Sequence, residues 1–342
     1  MKKVILFLIA SSIFQLYAQQ ASWKFNFGKN SNLIKPLIYK GFAYLVSDEG
    51  ILSVVDLKNG KLAWSFKADA PLSLPPVIEN DVAFFCTKNG DVIAMDLITK
   101  KVKWTKNAGD KLICTPLIYK EKVIVYSKNF IMAYDKIVGL DFWKTDLKIS
   151  GKPSLMLVDD FFYFADNMKV YAVNCNTGKI AWEFSLPVYG QSEICVANDK
   201  IYIINKDKLY CIDRVKGTEI FKKEISSEFN YTFLNTPVVH ENQLFISIGN
   251  ELILLTADKG TEVWRIKLKS QNELMPVVLA DNKIYVPERS NLLHVYLPEK
   301  GKKEYSFTLT EKIESEVVIE NQILYFTTSD GNLVSFKLIQ SK

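Results

Sequence analysis

The chain has 342 residues, of which 48% are hydrophobic, 24% charged and 13% aromatic. That composition can bury a core and excludes wholesale disorder, while a net charge of +5 is too balanced to imply a nucleic-acid partner on electrostatic grounds. Two histidines in the whole sequence argue against a His-rich metal centre or a Ser-His-Asp enzyme.

Met1-Lys2-Lys3 is a basic start followed by an apolar run from Val4 to Phe14 and then Gln15-Leu16-Tyr17-Ala18. A charged opening, a short apolar stretch and a small residue at the cut read as a secretory signal over 1–18, cleaved after Ala18. The run is too short to span a bilayer, which takes about 20 apolar residues, and later apolar runs are all broken by charge. The expected mature chain is 19–342, a single domain exported across the inner membrane.

From Trp23 onward the sequence repeats. Trp23, Trp64, Trp104, Trp143, Trp182, Phe221, Trp264 and Tyr305 follow one another at intervals of 39 to 43 residues, and all six tryptophans of the chain fall in this register. A turn motif precedes most of them: Asp56…Gly60 before Trp64, Asp135…Gly139 before Trp143, Asn174…Gly178 before Trp182, and Asp213…Gly217 before Phe221. Gly260 and Gly301 hold the glycine place before Trp264 and Tyr305, and Lys100 replaces it before Trp104. An Asp or Asn side chain can bond the backbone just ahead of it, and glycine accepts the positive φ of a tight hairpin. The aromatic residue then lies on the strand that leaves the turn.

Within one repeat, 75–108 shows four short strands separated by Asn/Asp/Gly turns, and no segment after the leader has a sustained helical period. Four antiparallel strands in about 40 residues are one β-propeller blade. The mature chain opens on a lone fourth strand at Trp23 and closes on three strands that lack a fourth. The expected fold is therefore all-β: an eight-bladed β-propeller of four-stranded antiparallel blades, closed by pairing the N-terminal strand with the C-terminal three.

The connection after Phe221 is longer than its counterparts, and the excess holds Phe229, Tyr231 and Phe233. Three aromatic residues in an extended loop are costly to leave in water, so they are the candidate contacts for a protein partner, with packing onto the neighbouring blades as the alternative. Five cysteines (Cys86, Cys114, Cys175, Cys195, Cys211) are too few for a disulfide scaffold and odd in number. Most sit in apolar strands as small hydrophobic filler, and a bridge between Cys86 and Cys114 stays open. His240 reads as part of a turn and His294 as a packed or surface side chain on a third strand.

The register Asp-x3-Gly-Lys-x2-Trp, clearest at 56–64 and, with Asn in first place, at 174–182, resembles the tryptophan-docking repeat of the PQQ-like, quinoprotein-type propellers. Two branches of that family share the repeat. One holds the pyrroloquinoline-quinone dehydrogenases, in which the resemblance implies an adjacent cysteine pair and a calcium site; this sequence has no Cys-Cys dipeptide, and Asp48, Asp91 and Asp330 fall in turns. The other holds the non-catalytic BamB-like periplasmic propellers of outer-membrane protein assembly, and the chain is most similar to these. The resemblance implies a scaffold for protein–protein interaction with no cofactor, no metal and no catalytic residue, whose partner belongs to the outer-membrane assembly machinery. Open alternatives are a periplasmic binding propeller with an unrelated partner or ligand, and a quinoprotein dehydrogenase. BamB-like proteins carry a lipid on a cysteine at the end of the leader, where this chain has Gln19. No lipid anchor is therefore expected, and attachment to the outer membrane would run through a partner of an otherwise monomeric periplasmic protein.

Overall fold

The computed structural model describes residues 19–28, 34–72, 74–112, 114–151, 153–166, 168–225, 234–268 and 273–338. The expected signal segment and its cut site lie outside these residues. Among the described residues every named element is a strand, and the strands form eight four-stranded antiparallel sheets. The chain is an eight-bladed β-propeller. Blade 2 shows the pattern: Val77–Glu79, Val82–Cys86, Asp91–Asp96 and Lys101–Asn107, hydrogen-bonded in sequence order.

Burial follows from position in the blade. First strands are three residues long and touch the first strands of adjacent blades, which makes them the inner ring. Second and third strands, such as 82–86 and 91–96, are almost continuously buried. A sheet sandwiched between two others has no wet face, so its middle strands read as unbroken apolar runs. Fourth strands, such as Ile180–Ser185, alternate between exposed and half-buried residues, as expected of an outer edge with one face against the next blade. The first and second strands of blade 2 are joined through Asn80 and Asp81, both at positive φ (49° and 62°), a two-residue turn whose twist matches that of the strands.

The ring closes as the sequence predicts. Trp23–Asn26 pairs antiparallel with Asn332–Lys337, in the register Trp23 to Ser335 and Asn26 to Asn332, and completes the blade begun by Val318–Glu320 and Ile323–Thr327. Just before it, Gln19 is bonded through its backbone to Thr308 and Thr310 of blade 7. The N-terminal stretch thus joins the seventh and eighth blades together.

A feature not visible in the sequence recurs in blades 1 to 7. One residue before each aromatic marker, the pairing of third and fourth strands slips by one, leaving Ala63, Lys103, Phe142, Ala181, Ile220, Val263 and Glu304 unopposed. Such a bulge bends the strand and re-aims the next side chain.

Candidate interaction surfaces

The bulge sends the aromatic ring onto the hairpin of the following blade. Trp182 lies against Gly217, so closely that a Cβ there would sit 2.5 Å from the indole, and Gly217 has φ 67°. Only glycine meets both demands. The contact repeats around the ring: Trp23 covers Gly60, Trp104 covers Gly139, Trp143 covers Gly178, Phe221 covers Gly260 and Trp264 covers Gly301. Four indoles also donate Nε1–H to a carbonyl of that hairpin: Trp104 to Lys136 (3.1 Å), Trp143 to Cys175 (3.0 Å), Trp182 to Arg214 (3.1 Å) and Trp264 to Pro298 (3.1 Å). The hairpin is held from within by its first residue. The Oδ1 atoms of Asp56, Asp135, Asn174 and Asp213 each accept the amide two residues ahead at 2.8–3.0 Å. Where glycine is missing, Lys100 takes φ 59° and sets its ammonium 5.9 Å over the Trp64 ring, a cation–π contact. Tyr305 has no hairpin ahead of it; its hydroxyl meets Lys283 Nζ at 3.2 Å and its ring packs on the core between blades 7 and 8.

Titratable side chains also gather in blade 7 and on the loop face of the ring. In blade 7 the buried His294 bridges Glu288 and Ser306: Nε2 lies 2.7 Å from the Glu288 carboxylate and Nδ1 lies 2.7 Å from the Ser306 hydroxyl. This chain of bonds ties the end of the second strand to the third and fourth and leaves neither imidazole nitrogen unengaged. On the loop face of the ring, Glu193 stands two residues before the inner strand of blade 5 and accepts the amide of Ser154 in blade 4 at 3.0 Å. Burial, chiefly, pushes its carboxyl up to about 7, and the negative charges of Glu316 and Asp166 add to the effect. Asp166 is itself buried and accepts the amides of Ser150 (2.8 Å) and Gly151 (2.6 Å). Among the described residues, no three His, Cys, Asp or Glu side chains converge to hold a metal ion.

The candidate loop residues Phe229, Tyr231 and Phe233 lie outside the described residues. A second apolar surface, not anticipated from the sequence, stands among those that are described. The hairpin of blade 3 exposes Ile137, Val138, Leu140 and Phe142, the first three each more than half open to solvent. Ile98 in the blade 2 hairpin (75% exposed) and Val215 in that of blade 5 (69%) are further exposed apolar residues at hairpin tips. Blades 2 and 3 are joined at this place by the Trp104–Lys136 bond and by a Lys106–Asp141 ion pair of 3.2 Å. Phe142 is the unopposed bulge residue of its blade and is exposed beside the half-buried Trp143. Antiparallel topology puts the strand 3–4 hairpins on the face of the ring opposite the loops between blades. The signal was present in the sequence: where blade 1 reads Asp56-Leu-Lys-Asn-Gly-Lys, blade 3 reads Asp135-Lys-Ile-Val-Gly-Leu.

Comparison with known proteins agrees with this architecture. The family described as outer membrane protein assembly factor BamB matches residues 47–253 and 249–338. A curated relative, outer membrane protein assembly factor BamB of Shewanella oneidensis, is 25% identical over 143 residues, covering 41% of this chain and about a third (35%) of the relative. BamB from Moraxella catarrhalis superposes with a TM-score of 0.74 at 18% identity, covering 93% of this chain and 99% of that one. The quinohemoprotein alcohol dehydrogenase ADHIIG of Pseudomonas putida HK5 superposes with a TM-score of 0.70 at 10% identity, covering 95% and 77%. At these identities both structures speak for the fold alone.

Proposed function

The chain belongs to the BamB family, and from that premise we propose that it is a non-catalytic scaffold of the periplasm that binds a protein partner in outer-membrane protein assembly. The observation that carries the reading further is the apolar hairpin cluster of blade 3. Ile137, Val138 and Leu140 stand in water at a turn whose geometry is set by Asp135 and Gly139, so the fold does not require them to be apolar. Exposed aliphatic side chains concentrated in one place are what a protein interface buries. The resemblance to quinoprotein dehydrogenases adds the blade architecture and no donor set.

The test is capture. The tagged chain, exported in a Gram-negative host and recovered from solubilised envelopes, is expected to bring an outer-membrane assembly protein with it. Ile137→Ser, Val138→Ser and Leu140→Ser together are expected to reduce recovery at least tenfold with no change in Tm beyond a degree or two. A parallel variant with Phe229, Tyr231 and Phe233 replaced by serine tests the longer connection after Phe221. If the unaltered chain recovers no assembly protein, the scaffold reading fails. If only the second variant loses capture, the contact belongs to that connection and not to the blade 3 hairpin.

A further inference from the structure

Cys86 ends the second strand of blade 2, and Cys114 lies in the passage that enters blade 3, 28 residues later. Their sulfur atoms are 4.0 Å apart, and both residues are completely buried in one apolar cluster. Cys114 Sγ is further fixed by the amide of Tyr126, which donates to it at 3.2 Å. None of the other three cysteines shares this geometry. Cys195 and Cys211 flank Tyr202 on either side of one strand, in the register Cys195–Tyr202–Cys211. Two strand spacings put their backbones about 9.5 Å apart, beyond the ~7 Å that a disulfide can span. Cys175 sits in the hairpin beneath Trp143, on the other face of the ring from Cys86 and Cys114.

We propose that Cys86 and Cys114 are an oxidation site, joined as a disulfide that staples blade 2 to blade 3. The sulfur atoms are in contact at 4.0 Å, and the bond of about 2.05 Å forms by turning one or both side chains about χ1 as the pair is oxidised. The oxidant is a disulfide, of a dithiol protein or a small thiol. The thiolate of one cysteine attacks it, forming a mixed disulfide and releasing one thiol. The second cysteine then attacks the mixed disulfide, forming the Cys86–Cys114 bond and releasing the second thiol. Two protein thiols are oxidised and one disulfide is reduced to two thiols, with both protons accounted for. Burial holds the Cys86 thiol well above its ordinary range, and both residues are completely buried, so the pair is closed to exchange once the chain has folded. Exchange therefore belongs to the interval before blades 2 and 3 close on each other, and the finished bond is shielded from reductants. Only its occurrence in the cell rests on the periplasmic reading; the chemistry does not.

The experiment separates the two. The full chain, purified in reductant, is unfolded and refolded in a mixture of reduced and oxidised glutathione, then denatured without reductant and treated with N-ethylmaleimide. Three of the five cysteines are expected to be alkylated, with the peptides of Cys86 and Cys114 still joined in the digest. Five alkylated cysteines, a different joined pair, or glutathione left on Cys86 or Cys114 overturns the proposal. Cys86→Ala and Cys114→Ala are each expected to leave no joined pair of peptides, and two alkylatable thiols with a joined pair in either variant would also overturn it. Reductant is expected to lower the Tm of the refolded chain by several degrees and leave that of the alanine variants unmoved; equal shifts would show that the bond is not what holds the seam. Capture of a partner from envelopes is read separately, so a failed scaffold reading leaves this result standing.

Discussion

The marker tryptophans are locks between blades rather than members of a central core. Trp182 fills the space above Gly217 and hands its one polar hydrogen to the Arg214 carbonyl. Trp182→Ala removes a large apolar surface and leaves that carbonyl without its partner, and is expected to cost about 3–5 kcal/mol in urea unfolding; a loss under about 1 kcal/mol would contradict the lock. Glu193 predicts a pH effect. Its carboxyl is raised to about 7 in the fold against an ordinary 4.5, so the folded chain binds this proton more tightly than the unfolded one. Its contribution is most favourable below pH 4.5 and is lost as pH rises through 7. The Tm of Glu193→Gln, compared with the unaltered chain between pH 5 and 8, is expected to show the flatter profile. A steeper or equal decline in the variant would remove Glu193 as the cause.

At the scale of the element, the fourth strand of blade 8 comes from the opposite end of the chain. Without Trp23–Asn26 the strand Asn332–Lys337 presents a bare edge, and Gly60 loses the ring that covers it. A chain starting at residue 34 is expected to have a Tm lowered by several degrees and to be cut readily in 318–337 by a protease. A synthetic peptide of residues 19–28 is expected to restore both by adding the missing strand. Unchanged stability on truncation would mean that the seam bears little load. This closure was legible in the sequence because a fourth-strand marker at Trp23 stood alone while the C-terminal repeat ended one strand short. The hairpins were legible for a similar reason: Asp213 and Gly217 each answer a demand that few other residues can meet. The bulges were hidden because the unopposed place tolerates anything, from Ala63 and Lys103 to Phe142. That tolerance also kept the apolar surface of blade 3 from standing out, since Phe142 occupies a place where other blades carry Ala63 or Lys103.

At the scale of the molecule, the repeats share their inner architecture and differ at their rims. The hairpin of blade 1 is polar at its tip (Lys58, Asn59), that of blade 3 is aliphatic (Ile137, Val138), and that of blade 2 mixes Ile98 with Lys100 and Lys101. Ion pairs stitch neighbouring blades on the same face, Lys40 to Asp81 at 2.7 Å and Lys120 to Asp160 at 3.0 Å, so much of the charge there is already engaged within the ring. Among the described residues the aliphatic tips of blade 3 stand exposed beside these engaged charges, which is the contrast on which the proposed contact surface rests. The pairing of residue 23 with residue 335 also orders events in time. A chain made from its N-terminus brings out Trp23–Asn26 first, yet the sheet that receives it is made last. Until residue 337 has emerged, the ring stays open at one seam and its final blade cannot form, so maturation waits for the whole polypeptide. A chain broken off short would keep its seam open, and cellular proteases would have a standing means of telling it from a finished one.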